Sequence, residues 1–327
     1  MRTRSLCVAA VLALTAPLAA QPVPSGHTDE FQAVQDRDLA SKDQVDNLSF
    51  RGDLYDRMTV PVHLAGHGSY RFMVDTGADR TTISRQLATK LQLPAGRPAL
   101  MHSITSVSEV QTAKIPAMQL GTKTVWLSDA PMLEQSHMGA DGILGTDSLR
   151  SKRVLFDFKA QTISILSGTD KLLPQERGTI VVSARQKNGR LILTKATAGG
   201  VPLDLVLDTG AQTSVGNEAL RKSLMRSGGL RRVGKARMTS VTGETFVGDQ
   251  AIAADVKIGT VEIRGLSIVF GDAHAFRPLG LSKRPALLLG MDAMRTFEKV
   301  SIDFQRKRLR LLLPSRDRVD NQRLAMR

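Results

Sequence analysis

The chain has 327 residues, a formal net charge of +14 and 4% aromatic residues. Its one cysteine, Cys7, lies in the apolar N-terminal stretch, so the rest of the chain holds no disulfide and no thiol nucleophile. The basic balance invites a nucleic-acid partner, but aromatics are few and no nucleic-acid module is recognisable, so the sequence predicts none.

Residues 1–20 open with Arg2 and Arg4, continue as an apolar run from Leu6 and end on the small pair Ala19-Ala20. This is the pattern of a secretory signal peptide, and the run is too short and too broken by Thr15 and Pro17 for a membrane span. Export without mature cysteines favours a bacterial periplasm. Residues 21–54 are polar and irregular and read as a flexible leader. A first lobe is expected over 55–167, a turn-rich linker over 168–178, a second lobe over 179–313 and a basic tail over 314–327. Basic clusters at 221–237, 306–310 and the tail read as solvated faces, with a weak attraction to anionic envelope surfaces as the alternative. Short helices are expected at 84–91, 146–151, 218–226 and 292–297. Asn188-Gly189 signals a hairpin, and most of the remainder alternates like strand.

One short run occurs twice. Asp75-Thr76-Gly77-Ala78 follows Phe72-Met73-Val74, and Asp208-Thr209-Gly210-Ala211 follows Leu205-Val206-Leu207. At an offset of 133 residues, Met58 to Asp75 lies over Leu191 to Asp208 without a gap, with Ala65-Gly66 on Ala198-Gly199. Further on, Thr105-Ser106-Val107-Ser108 matches Thr239-Ser240-Val241-Thr242, and Gly142-Ile143-Leu144-Gly145 matches Leu287-Leu288-Leu289-Gly290. Val154 to Phe158 likewise matches Val300 to Phe304. The halves read as one duplicated unit. Two carboxyls brought about 3 Å apart by such symmetry cannot both ionise, so one can act as a base toward water while the other offers its proton.

Together these residues resemble the retropepsin and pepsin clan of aspartic peptidases, and Asp75-Thr76-Gly77-Ala78-Asp79 is especially similar to the retroviral form. The resemblance implies an all-β, bilobal pepsin/retropepsin-like (acid protease) fold of two tandem, pseudo-twofold-related β-barrel lobes with short helices. It implies Asp75 and Asp208 as catalytic residues in loops completed by Gly77, Ala78, Gly210 and Ala211, with Thr76 and Thr209 cross-linking those loops. Ile143-Leu144-Gly145 and Leu288-Leu289-Gly290 would pack beneath. Flaps are expected at Thr105, Ser106 and Val107, and at Thr239, Ser240, Val241, Thr242 and Gly243. Both tyrosines, Tyr55 and Tyr70, precede the first Asp, so the pepsin flap tyrosine is absent.

The expected partner is a polypeptide substrate, cleaved by a monomer with an intramolecular dyad and without cofactor or metal. His63 and His67 have a ligand-like spacing only on a helix, whereas their segment reads as a hairpin. Two alternatives stand beside this reading: lobes that pair in trans between two chains, and a non-catalytic peptide-binding module. Ala78 and Ala211 offer no hydroxyl to the carboxylates, which predicts a dyad that keeps its shared proton into mildly acidic or near-neutral solution.

Overall fold

The computed structural model describes residues 58–120, 123–167 and 176–314, together with the backbone of four short strands, Ser5–Cys7, Ala13–Leu14, Asp46–Ser49 and Arg51–Gly52. Most of the signal and leader segments, much of the linker and the tail from residue 315 lie outside the described residues.

Each half closes a six-stranded barrel. In the first, the order is Met58–Leu64, His67–Val74, Gly142–Leu144, Thr82–Ser84, Lys123–Leu133 and Thr112–Leu120, which returns to Met58–Leu64 through Met118 opposite Leu64. The second repeats it with Arg190–Ala198, Val201–Leu207, Ala286–Leu289, Ser214–Gly216, Val261–Phe270 and Thr245–Ile258, closed by Ala196 opposite Ile258. Closure removes the exposed edges that an open sheet leaves, and alternation sends Val60, Val62, Leu64, Phe72 and Val74 into the core.

The gapless match of the leading strands does not hold. The first hairpin turns at Ala65 and Gly66 (φ 50° and 78°), the second at Gly199 and Gly200 (φ 49° and 76°). The glycine pair takes the two left-handed positions at little steric cost, so the second turn sits one residue later than the match of Ala65-Gly66 with Ala198-Gly199 requires. Asn188 and Gly189 form the expected turn, with φ 48° and 79° and Lys187 opposite Arg190.

The lobes are also less separable than the expected boundaries suggest. A six-stranded sheet runs Thr179–Ser183, Arg308–Leu312, Lys299–Asp303, Lys152–Asp157, Thr162–Ser167 and Asp46–Ser49. Its central pair joins the halves, with Val154 opposite Ile302, and inside it Arg153 Nε lies 3.3 Å from Asp303 Oδ2. The last strand belongs to the segment read as a flexible leader, and its four residues Asp46–Ser49 hold a single apolar one, Leu48, which gives no strand pattern.

The helices fall at Arg85–Lys90, Thr146–Leu149, Glu218–Arg226 and Met291–Met294. Ser84 and Asn217 cap two of them, accepting from Leu87 N and Leu220 N. Gln135–Met138 and a 3₁₀ turn at His274–Phe276 were not expected from sequence. No helix among the described residues is long and apolar enough to cross a membrane.

Candidate active site

Each Asp-Thr-Gly-Ala run leaves the end of a core strand and is held from below by its own half. Asp75 N donates to Leu144 O and Asp208 N to Leu289 O, both at 3.0 Å. Thr146 N then donates to Ala78 O and Met291 N to Ala211 O, both at 2.8 Å. A Cβ on Gly145 would collide with the Arg80 carbonyl group, and one on Gly290 would sit 2.8 Å from Thr213 C, so the residue after each apolar pair must be glycine for the loop to lie down.

The loops grip one another across the pseudo-twofold. Thr76 N donates to Thr209 Oγ1 (3.0 Å) and Thr76 Oγ1 to Leu207 O (2.9 Å). Reciprocally, Thr209 N donates to Thr76 Oγ1 (3.2 Å) and Thr209 Oγ1 to Val74 O (2.7 Å). Gly210 has no room for a side chain because a Cβ there would collide with the Asp75 carboxyl.

Both carboxyls are fully buried. Asp75 Oδ1 accepts from Gly77 N (2.8 Å) and Ala78 N (3.1 Å), and Asp208 Oδ1 from Gly210 N (3.2 Å) and Ala211 N (3.1 Å). The remaining oxygens, Asp75 Oδ2 and Asp208 Oδ2, are buried without a heavy-atom donor. Two bare carboxylates would repel one another, so burial of the pair favours a protonated form. Burial pushes Asp75 up to about 6, opposed by the Gly77 N–H and the nearby Arg190 charge. Asp208 is pushed well above the ordinary carboxylate range by burial and then by the charge of Asp75. The alanines do donate to the carboxylates, but through their backbone rather than a side chain.

Residues 60–151 match the family model described as "gag-polyprotein putative aspartyl protease", and residues 194–293 match the one described as "Aspartyl protease". The chain is two aspartyl protease family domains in tandem. Such domains support aspartic protease activity in general. A search of curated proteins found no match.

Within these tandem domains the segments expected as flaps lie on hairpins whose tips reach across the pseudo-twofold. The first joins Ala99–His102 to Val107–Val110, and the second joins Leu230–Thr239 to the start of Thr245–Ile258. Ser103 Oγ meets Thr105 Oγ1, and Ser240 Oγ meets Thr242 Oγ1, both at 2.9 Å. This pairs Ser103-Ile104-Thr105 with Ser240-Val241-Thr242 and corrects the sequence match, which was three residues out because serines and threonines crowd both tips. Val107 is 42% exposed and begins the returning strand rather than forming part of the tip. Ile104 buries in the apolar cluster of the second domain with Ile192 and Val206, while Val241 buries in that of the first with Met73 and Ala78. Glu244 fastens the tips together: Ser106 Oγ lies 2.8 and 2.7 Å from its two oxygens, and Thr105 Oγ1 also donates to it.

Several contributors were missed in the sequence. Thr81 Oγ1 donates to Asp147 Oδ1 (2.7 Å) and accepts from Gly145 N (3.1 Å). Ser214 Oγ does the same with Asp292 Oδ1 (2.8 Å) and Gly290 N (3.0 Å). The repeated Gly-x-Asp at Gly145 and Gly290 was the available signal. Asp79, His102 and Glu244 have no repeated counterpart, so the duplication could not point to them, whereas Arg190 lies over Arg57 at the 133-residue offset and His274, like His137, stands four residues beyond its strand, repeats that went unread. No three His, Cys, Asp or Glu side chains converge as a metal site among the described residues, and His63 and His67 are exposed on adjacent strands.

Proposed function

We propose that the chain is an aspartic endopeptidase in which Asp75 and Asp208 activate a water toward a peptide bond lying between the two domains. The observation that carries this reading is the pair of fully buried carboxyls, each pinned through one oxygen by two backbone N–H groups and left with the other unpartnered. One shared proton gives the pair both functions. The ionised group accepts a proton from water as it attacks, and the protonated one donates to the scissile carbonyl oxygen. The proton belongs to the pair rather than to one residue. With Asp75 pushed up to about 6 by burial, and Asp208 raised further by burial and the charge of Asp75, the pair loses its first proton near pH 6, so the singly protonated dyad is the form present in near-neutral solution.

The substrate is an extended polypeptide segment added to the flap edges as a strand. The backbone of Ser5–Cys7 pairs in parallel with Leu100–His102, and Ala13–Leu14 pairs antiparallel with Met238 and Thr239. A single chain crossing a pseudo-twofold meets one edge in each sense, so these pairings illustrate how a peptide engages both flaps. Removal of residues 1–20 as an export signal would leave the edges open to substrate. We place the mature protein in the periplasm, as a monomer.

Purified protein lacking residues 1–20, incubated with a peptide library, is expected to cleave internal bonds and to be blocked by a pepstatin-type inhibitor. Asp75→Asn and Asp208→Asn should each abolish cleavage. Retention of about half the wild-type rate in either variant would mean that the two carboxyls do not act as one dyad.

A further inference from the structure

A cavity of about 1030 Å³ opens where the two domains meet at one end of the flap. One wall is Asp79, four residues beyond Asp75 on the same loop, and another is His102, which directly precedes the flap tip. The cavity therefore continues the groove in which an extended substrate lies. Successive residues of such a segment advance by about 3.3 Å, so whatever enters the cavity belongs to a residue a few positions from the cleaved bond.

Its walls are charged unevenly. Arg150 comes from the first domain, and Arg277 and Lys307 from the second. The two carboxylates beside them are already engaged. Asp79 lies 3.1 Å from the buried Arg190, and Asp147 Oδ1 accepts from Thr81 N (2.9 Å), Thr81 Oγ1 (2.7 Å) and Ser148 N (2.8 Å). Arg277 shares its charge with the exposed Asp272 at 2.8 Å. Arg150 and Lys307 are exposed and have no carboxylate partner among the described residues. Two cations from opposite domains outweigh the one charge that Asp147 keeps under its neutral donors, which gives the cavity a net positive potential, and the net charge of +14 adds to it at longer range.

We propose that this cavity is a subsite for a carboxylate of the bound polypeptide, held by Arg150 and Lys307 with help from Arg277, so that the protein selects acidic segments. The inference rests on the peptidase reading for its substrate. The carboxylate is that of an Asp or Glu side chain or of a chain terminus, and both offer the same paired oxygens to a guanidinium fork.

The test uses cleavable peptides in which Glu replaces Gln at each of four positions on either side of the cut, with both ends blocked, and a parallel set with a free C-terminus. Glu should raise kcat/KM about tenfold at one or two neighbouring positions on one side, mainly through KM, and the ratio should shrink in high salt. In the Arg150→Gln/Lys307→Gln double variant the Glu/Gln ratio should fall toward one. If the gain follows the free C-terminus instead of the side chain, the carboxylate recognised is the terminal one. A ratio near one at every position in both peptide sets, or a preference that survives the double variant, overturns the subsite. Binding of the same peptides to the Asp208→Asn protein, read by fluorescence anisotropy, separates the two readings. Glu-dependent binding without hydrolysis by the wild type would remove the peptidase function and leave the subsite standing, whereas hydrolysis and binding indifferent to Glu would do the reverse.

Discussion

Arg190 of the second domain places its Nε 3.1 Å from Asp79 of the first, with the Arg190 side chain only 2% exposed. Its charge also lowers the proton affinity of Asp75, Asp208 and His102. Gln212 stands where the second repeat would need a counterpart to Asp79, so the repeat cannot supply the same pair twice. Arg190→Gln should cost about 3 kcal/mol in urea unfolding, toward the lower end for a broken buried pair because Asp79 is 18% exposed. Loss of the positive charge raises both dyad pKa values, so the alkaline limb of the kcat/KM profile should move to higher pH.

The flap of the first domain is clasped by the second at His102 and His274, whose rings stack 5.0 Å apart with Nδ1 of the former 2.7 Å from Nε2 of the latter. His274 N also donates to Ile104 O at 2.6 Å. Donation from His102 Nδ1 leaves only a lone pair unmet at the buried His102 Nε2, a smaller defect than a buried, unmet N–H. Burial lowers both histidines, reinforced by Arg190 for His102 and by His102 and Arg277 for His274, with Asp272 opposing. Both folded values lie below 6.5, so the clasp is at full strength above that pH and weakens as pH falls through the lowered values. Amide exchange at 103–106, corrected for intrinsic rates, should accelerate on acidification. In His274→Gln it should be fast at every pH.

Glu244→Ala removes the acceptor for Ser106 and Thr105 without touching either barrel. Faster amide exchange confined to the two flap tips is expected, with an effect on unfolding below about 1 kcal/mol because the bonds are exposed. Exchange that spreads into the barrel strands would mean that Glu244 supports more than the tips.

Thr76→Val keeps the shape of the side chain but deprives Leu207 O and Thr209 N of their partner. Two buried groups left unmet should cost about 2–4 kcal/mol, and Thr209→Val should cost a similar amount through Val74 O and Thr76 N. Thr76→Ser, which retains the hydroxyl, should recover most of the loss. Urea unfolding of the three variants measures this.

The dyad gives stability a distinct pH dependence. The folded-state pKa of Asp75 is raised from 3.8 to about 6, so its contribution is fully present below 3.8 and is lost as pH rises through about 6. Asp208, raised well above 3.8, acts in the same direction. Wild type should lose roughly 2 kcal/mol through Asp75 alone, and more through Asp208, relative to the Asp75→Asn/Asp208→Asn protein between pH 4.5 and 7.5. A constant difference across that range would rule out a shared buried proton.

The sequence made the two Asp runs and the supporting glycines legible because duplication states each of them twice, and the Asn188-Gly189 turn legible because that dipeptide is by itself a hairpin signal. Pairing between Lys152–Asp157 and Lys299–Asp303 left no such trace, since strands so distant in sequence show nothing locally of which edge they will meet. The flap register was misread where Ser103 to Ser106 and Ser240 to Thr242 offer several similar alignments. His102 and Glu244 escaped notice because each occurs in one repeat alone, where symmetry is silent; Arg190 and His274 are matched by Arg57 and His137, but they stand apart from the Asp runs that carried the resemblance.

The shared six-stranded sheet has a consequence for how the protein could have diverged. Cut between the halves, each piece would bare the backbone of Lys152–Asp157 or Lys299–Asp303 and would tend to seek a second copy of itself to cover that edge. In such a symmetric ancestor any substitution is imposed on both sides of the axis at once. Joining the copies in one polypeptide lifts that constraint. A lone glutamate at one tip, a histidine pair at one end and a cationic recess on one flank can then arise separately, and they give the groove a head and a tail.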